Sequence, residues 1–119
     1  MSIGTGSRKH VARAHRLRGE ILAAGDRLGE AERELRASVA LATQLDTPRE
    51  VWLGEASLAR MLARSNRDKD AEASFVRAAQ TIEGNAARLT TPGLRRSFLT
   101  AEPVLDVYRT LGRRPPAPG

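Results

Sequence analysis

The chain has 119 residues, which is enough for one small domain but not for two. Hydrophobic residues make up 40% of it and aromatic residues only 3%, and the apolar set is mostly alanine and leucine, which favours close-packed helices over a sheet. The absence of cysteine excludes disulfides and thiolate metal sites. A net charge of +6 is typical of chains with nucleic acid or acidic partners, but most arginines are spread among acidic residues, as on a solvated helix face.

The sequence predicts one helical domain between two disordered ends. Residues 1–8 are small and polar and are predicted to be a disordered lead-in, and the proline-rich residues 113–119 a disordered tail. The helical domain covers residues 9–112. No apolar run approaches the roughly 20 residues of a membrane span, and no signal peptide is recognisable. We therefore expect a cytoplasmic chain with no membrane partner.

The first predicted hairpin covers residues 9–45. Its first helix runs from Lys9 to Ala24 and is expected to end at Gly25. The stripe expected to face the core comprises Val11, Ala14, Leu17 and Ile21. The second helix runs from Leu28 to Leu45, with a stripe in steps of three and four residues formed by Leu28, Ala31, Leu35, Ser38, Ala42 and Leu45.

The second predicted hairpin covers residues 48–89. Thr47, Pro48 and Glu50 match a capping box with proline at the first helical position, so a third helix is expected over Pro48–Arg64. A fourth helix is expected from Lys69 to Arg88, continuing through Gly84. The apolar residues of the two helices are Val51, Trp52, Leu58, Met61, Leu62, Ala71, Phe75, Ala78, Ile82, Ala86 and Leu89.

A fifth helix is predicted over residues 92–111, as a cap on the second hairpin. Its inward positions are Leu94, Phe98, Leu105, Tyr108 and Leu111. Pro103 lies within it and predicts a kink or break near residues 100–103, because proline removes a helical hydrogen bond and disfavours helix in the preceding residue. Gly112 is expected to end the helix.

The two hairpins repeat a pattern of small and large residues. In the second helices, Ala31, Leu35 and Ser38 correspond to Ala71, Phe75 and Ala78, an offset of 40 residues. In the first helices, Leu17 is matched to Leu58 and Ile21 to Leu62, an offset of 41, which implies a one-residue insertion between the helices. A small–large–small order repeated in register is a packing rule for antiparallel helix pairs.

This pattern resembles the tetratricopeptide (TPR) repeat, whose second helix carries alanine, a large residue and alanine at the same spacing. Leu58–Ala59 is similar to the leucine and small residue of the family's first helix. The chain departs from the family at Arg18, where a small residue is expected, and its period exceeds the usual value of about 34 residues. The resemblance implies an all-α fold: about two TPR-like α-hairpins and a C-terminal capping helix, a fragment of a right-handed α-solenoid.

The wider context that the chain resembles is the C-terminal TPR region of large bacterial signalling proteins. These include signalling ATPases, adenylate cyclases and transcriptional regulators of the maltose-activator type. The resemblance rests on the long repeats rich in alanine and arginine, on Pro48–Trp52, and on the segment TPGLRRSFL at residues 91–99. It implies a non-catalytic protein–protein interaction module, because the chemistry of such proteins lies in other domains.

The resemblance also places candidate partner-binding residues on the first helix of each hairpin, which lines the inner face of a TPR array. These are His15, Glu55, Ala56, Arg60 and Arg64. Arg60 and Arg64 lie one helical turn apart and are suited to a carboxylate of a protein or peptide partner, although plain solvation of the two side chains is the favoured explanation.

A basic face on the first helix supports an alternative function. Lys9, Arg13 and Arg16 share this face, which is suited to phosphates or an acidic peptide but also to ordinary solvent exposure. The alternative is therefore a helical nucleic-acid-binding protein. Because about three repeats are generally needed for stability, the N-terminal helix is also expected to mediate a homodimer or to continue a longer solenoid.

Nothing in the sequence indicates an enzyme. His10 and His15 are five residues apart, whereas two metal ligands on one helix need a spacing of three or four. Glu30, Glu32 and Glu34 point to different helix faces, and no nucleophile with a nearby base or phosphate-binding loop is present. We predict no catalytic residues, no metal and no cofactor.

Overall fold

The computed structural model describes residues 5–116, with side chains from residue 8 onward. All regular structure in this range is helical, which confirms the all-α prediction. The helices are α1 (Thr5–Ala24), α2 (Leu28–Gln44), α3 (Pro48–Arg64), α4 (Asp68–Arg88), α5 (Pro92–Leu99) and α6 (Glu102–Leu111). None of them combines the length and apolar character needed to cross a membrane.

The helices pack as two antiparallel hairpins followed by a C-terminal pair. α1 packs on α2 and α3 on α4, α2 joins the two hairpins by packing on α3, and α6 covers α4. The molecule measures 43 × 41 × 18 Å, and its smallest dimension corresponds to two layers of helices at the usual spacing of about 8–10 Å. The core is divided between a cluster at the junction of α2 and α3 and a larger cluster among α3, α4, α5 and α6.

Three successive helices end in the same turn, at intervals of 20 residues. Asp26, Asp46 and Asn66 all have positive φ angles, of 62°, 54° and 61°. At each turn the N–H of the following residue donates to the carbonyl five residues earlier, as in Arg27 N–H to Leu22 O at 2.9 Å. These are Schellman caps in which Asp or Asn, two of the few side chains tolerated in this conformation, occupies the usual glycine position. Gly25, the predicted stop for α1, lies one residue before the left-handed position.

The backbone hydrogen bonds show that the turns within the two hairpins correspond at an offset of 40. The turn after α1 and the turn after α3 have the same bonding pattern, and α2 and α4 begin 40 residues apart. Gly19 packs on Leu35, and the residues 40 positions later, Ala59 and Phe75, belong to one core cluster. The predicted one-residue insertion is therefore wrong, and Gly19 takes the small-residue position that was assigned to Arg18.

The orientation of α1 differs from the prediction. Ala12 and Gly19 face α2 and are buried, whereas the predicted core stripe is turned away from the rest of the molecule. Among its members, Val11, Leu17 and Ile21 are 46%, 43% and 72% exposed, and Ala14 is exposed too. We call Val11, Ala14, Leu17 and Ile21 the α1 outer face. The periodicity correctly identified an apolar face, but the core of the chain does not cover it.

The start of α3 also corrects a prediction. Pro48 occupies the first turn as expected, but Thr47 makes no side-chain cap. Its hydroxyl donates instead to the Ala42 carbonyl at 3.1 Å, and Glu50 is bonded to Arg16 on α1. The sequence pattern of a capping box is present, but the Thr47 and Glu50 side chains bond to α2 and α1 and do not cap α3.

The C-terminal region contains the predicted break. α5 ends at Leu99 and α6 begins at Glu102, with Pro103 in the first turn of α6. Gly112 ends α6 with a φ of 68°, as expected. Leu94, predicted to face inward, is 60% exposed, because α5 is short and only its last turn reaches the core. Residues 113–116 follow without regular structure, and residues 117–119 of the predicted tail lie outside the described range.

Tyr108 anchors α6 to α4. Its side chain is buried, and its hydroxyl donates to a Glu83 carboxylate oxygen at 2.7 Å. Burial raises the pKa of the Tyr108 phenol above its ordinary value, and the hydrogen bond to Glu83 acts in the same direction. The phenol therefore stays protonated and keeps its role as donor.

At the other end of the domain, α1 begins at Thr5, so residues 5–8 of the predicted lead-in belong to this helix. Residues 1–4 lie outside the described range.

Replacing Gly19 with alanine should destabilise the protein by about 1–3 kcal/mol, although alanine is the better helix former. A Cβ at this position would lie 2.6 Å from Leu35 Cγ, in a side chain that the surrounding core holds in place. Gly84→Ala is the matched control: a Cβ there meets nothing within 4 Å, so it should stabilise by about 0.5–1 kcal/mol. Urea unfolding followed by circular dichroism compares them, and stabilisation by both substitutions would contradict the close approach of α1 to Leu35.

Candidate functional site

A groove between α1 and α3 is the most complete candidate site in the described range. It has a volume of about 330 Å³ and an apolar floor that includes Leu35 and Met61. We call it the α1–α3 groove. The residues that line it are Glu20, Ala23, Ala24, Leu35, Ser57, Arg60, Met61 and Arg64. An apolar floor with a few convergent polar groups at its rim is the usual composition of a ligand-binding site.

The carboxylate of Glu20 is held on one rim of the groove. It accepts a hydrogen bond from Ser57 Oγ at 2.6 Å and another from Arg16 at 3.3 Å. The Arg16 guanidinium also donates to Glu50 at 3.3 Å, so one arginine links two carboxylates across α1 and α3. These contacts leave Glu20 fixed in place but still partly exposed, and the rim here is acidic.

Arg64 lies on the opposite rim and fastens α3 to the end of α1. Its guanidinium donates to the Ala23 carbonyl and to the Asp26 carboxylate. A cation near the C-terminus of a helix is favourable, because the last carbonyls of the helix have no partners within it. The Arg64 side chain is nevertheless 45% exposed. It therefore stabilises the turn after α1 and remains accessible from solvent.

Arg60 links α3 to α6. One of its terminal nitrogens lies 2.7 Å from an Asp106 carboxylate oxygen, and its side chain is 48% exposed. Because a guanidinium has five N–H donors and this contact uses one of them, Arg60 keeps donors free for a further acceptor. The predicted pair Arg60 and Arg64 thus lies at one site, over an apolar floor.

The other two predicted partner-binding residues, His15 and Glu55, are placed elsewhere. They lie 40 residues apart, at equivalent positions, and each faces the second helix of its own hairpin. His15 Nδ1 is 2.6 Å from Glu34, and the buried Glu55 is 3.3 Å from the Arg77 guanidinium. These two residues therefore lie outside the α1–α3 groove, and their part in partner binding stays a prediction. Ala56 is buried inside the core.

The His15–Glu34 contact keeps the Glu34 carboxyl ionised. The hydrogen bond from His15 is the main cause that lowers the pKa of Glu34. Desolvation opposes this shift, and Arg18, which lies 3.2 Å from Glu34, lowers the pKa further. A lowered pKa in the folded state means that the ionised form favours folding. This link between α1 and α2 therefore operates above the ordinary pKa of a glutamate and is lost in acid.

The predicted basic face is only partly accessible. Lys9 and Arg13 are exposed on α1. The Arg16 side chain is only 13% exposed, because it is turned between Glu20 and Glu50. The prediction that the three residues form one open basic face is therefore corrected for Arg16.

A second cavity extends the groove along the array. It has a volume of about 320 Å³ and lies among α3, α4 and α6. Ala63 and Phe75 line it, as Ala23 and Leu35, 40 residues earlier, line the α1–α3 groove. The two cavities therefore share these two equivalent positions, while their other lining residues differ.

No protein-family model, curated protein or solved structure matches this chain. Within residues 5–116, no three His, Cys, Asp or Glu side chains come together as a metal site. The predictions of no metal and no cofactor remain predictions.

Sequence reasoning missed Glu20, Ser57 and Leu35 as parts of the groove. The correct offset of 40 was the signal that could have found Glu20, because it places Glu20 at the position equivalent to Arg60. The mistaken offset of 41 in the first helices concealed this relation. Leu35 was identified only as a core residue, and its side chain reaches the groove floor because the small Gly19 leaves space beside it.

Proposed function

We propose that this chain is a non-catalytic protein–protein interaction module of the TPR type, which binds a peptide or protein segment in the α1–α3 groove. The resemblance to a helical repeat is supported by the 40-residue correspondence of the turns after α1 and α3 and of the first residues of α2 and α4. It is also supported by the burial of both small–large–small sets: Ala31, Leu35, Ser38, Ala71, Phe75 and Ala78.

The observation that carries this proposal is the pair of half-exposed arginines above an apolar floor. Arg60 and Arg64 are occupied by Asp106 and Asp26 in the free chain. Exposed ion pairs of this kind contribute only about 0–1 kcal/mol each. A partner carboxylate can therefore replace either aspartate at little cost, while an apolar side chain of the same partner fills the space above Leu35 and Met61.

The wider setting that we propose is a C-terminal part, or a relative, of a bacterial regulator of signalling or transcription. This rests on the sequence resemblance. The alternative, nucleic-acid binding through Lys9, Arg13 and Arg16, is less well supported because Arg16 is engaged by Glu20 and Glu50 within the chain. Nucleic-acid binding also needs accessible cations to replace the counterions of the phosphates.

The test is selection of peptides from a displayed library, followed by calorimetric measurement of their affinity. We expect the selected peptides to carry Asp or Glu close to a large apolar residue. Arg60→Glu combined with Arg64→Glu should weaken their binding by about tenfold or more, because each change replaces an attraction with a repulsion.

The matched control is Arg33→Glu combined with Arg96→Glu, which alters the net charge by the same amount at exposed positions on α2 and α5. It should leave the affinity within about twofold, since these charges lie outside the groove. Equal losses in both double variants would reject the groove as the binding site. Failure to select any peptide would count against the proposed function itself.

A further inference from the structure

The α1 outer face is an apolar helix surface that nothing in the described chain covers. Ile21 is the most exposed of the large apolar residues, at 72%, and Val11 and Leu17 are each more than two-fifths exposed. The small Ala14 lies between them along the helix. Single exposed apolar residues are ordinary, but a continuous stripe on one helix marks an interaction surface.

The second hairpin shows what kind of element covers this surface. Forty residues after Ala14 and Ile21 are Gly54 and Met61, which α2 covers. The approach there is close: a Cβ added to Gly54 would lie 2.9 Å from Val39 on α2. Met61 is 2% exposed and belongs to one cluster with residues of α2. The α1 outer face is therefore equivalent to the face of α3 that α2 covers. It also has a small residue, Ala14, at the point where the second helix would come closest.

The opposite end of the array has no such open face. The outer side of α4 is covered by the C-terminal pair, because Ile82 and Ala86 share a cluster with Leu99 of α5 and Val104 of α6. Among the hairpin faces in the described range, the α1 outer face is thus the one that lacks a neighbouring helix.

The charges beside this face indicate what the covering helix carries. Arg8, Lys9 and Arg13 are exposed on α1 and have no carboxylate within ion-pair distance among the described residues. The first acidic residue of α1 is Glu20, which is held by Ser57 and Arg16. The flanks are therefore basic, and an acidic helix complements them.

These features argue against a second copy of the chain as the occupant. A parallel pairing of α1 with itself would bring Arg8, Lys9 and Arg13 of the two copies together. The area is also small: a 20-residue helix is about 30 Å long and about 10 Å wide, so one face offers about 300 Å². A stable dimer buries about 800 Å² on each partner. An occupant with complementary charge needs less area for a transient contact.

We propose that the α1 outer face binds an acidic amphipathic helix of a partner protein, which lies along α1 as α2 lies along α3. This surface shares no residue with the α1–α3 groove, which α1 lines with Glu20, Ala23 and Ala24. Binding here extends the array of helices by one member and leaves Arg60 and Arg64 accessible.

The test uses three fluorescein-labelled synthetic helices of about 18 residues, long enough to form about five turns along α1. One carries an alanine and leucine stripe with glutamate flanks, the second has lysine flanks, and the third has glutamate flanks with serine in place of leucine. Fluorescence anisotropy with the full chain is expected to give binding of the first peptide at least about tenfold tighter than of the other two. Salt of about 0.5 M should weaken that binding.

Two variants locate the site. Leu17→Asp combined with Ile21→Asp should reduce binding of the acidic peptide by about tenfold or more, because both side chains are exposed and the change removes the apolar contact. Leu94→Asp combined with Ser97→Asp is the matched control, because it adds the same two negative charges at exposed positions of α5, away from α1. Circular dichroism checks that the helices are retained in each variant.

Other outcomes would overturn the proposal. These are equal binding of the acidic and lysine-flanked peptides, an unchanged affinity in the Leu17 and Ile21 variant, and a stable dimer in sedimentation that this variant dissociates. Duplex DNA that binds through Arg13 and is insensitive to Leu17 and Ile21 would also overturn it. Because an acidic peptide with leucine also has the composition expected of groove ligands, the titrations are repeated in the Arg60 and Arg64 double charge-reversal variant, where the binding that depends on Leu17 and Ile21 should remain. Loss of all binding in that variant, with no change in the Leu17 and Ile21 variant, would place the peptide in the α1–α3 groove and overturn the proposal without contradicting the groove.

Discussion

Replacing Trp52 with alanine is expected to lower the free energy of unfolding by about 3–5 kcal/mol. Trp52 is 2% exposed and lies in the cluster that joins α3 to α4, α5 and α6. It packs edge-on against Phe98, with ring centroids 6.2 Å apart. Because Trp52 contacts Phe98 of α5 directly, the alanine variant should weaken the attachment of the C-terminal pair most.

Trp52→Phe provides the comparison. The indole Nε1 has no hydrogen-bond partner among the described residues. Phenylalanine therefore removes volume but no hydrogen bond, and it should cost only about 1–2 kcal/mol. Unfolding must be followed by circular dichroism, because Trp52 is the only tryptophan. A loss below about 1 kcal/mol in the alanine variant would mean that Trp52 does not join the helices as described.

Replacing Leu35 with alanine is expected to cost about 2–5 kcal/mol. Leu35 is 1% exposed and lies at the centre of the cluster between the hairpins, with Leu58, Met61 and Leu62 of α3 around it. It also forms part of the groove floor. The variant should therefore lose stability and bind the selected groove peptides less tightly, and urea unfolding together with calorimetry measures the two effects separately.

A double-mutant cycle with Gly19 tests the same contact, because the effect of Gly19→Ala on stability should change sign when Leu35 is replaced. In the native chain Gly19→Ala is unfavourable, because its Cβ meets Leu35 Cγ. In the Leu35→Ala background that obstacle is removed, and Gly19→Ala should become stabilising by up to about 1 kcal/mol, the helix-propensity difference. The same sign in both backgrounds would contradict the contact. This cycle tests how α1 is oriented, which also determines that the α1 outer face is open.

The sequence by itself determined where the helices after the first lie, and approximately where each of them ends. α3 coincides with its predicted bounds, and α4 continues through Gly84. The predicted fifth helix is interrupted before Pro103. These features depend on local properties: the spacing of apolar residues, the fixed φ of proline and the few residues that accept a left-handed turn. The small–large–small sets on α2 and α4 were equally readable, because a hairpin partner close in sequence covers them.

Only the tertiary structure decided which faces are covered and which charges are paired. The stripe on α1 predicts that one side of the helix is apolar, but it does not identify a neighbour for that side. Gly19 lets Leu35 approach the opposite side, so the stripe stays exposed. Arg60 meets a carboxylate 46 residues away. Contacts at such separations depend on how the helices pack, and a period of three or four residues carries no information about that.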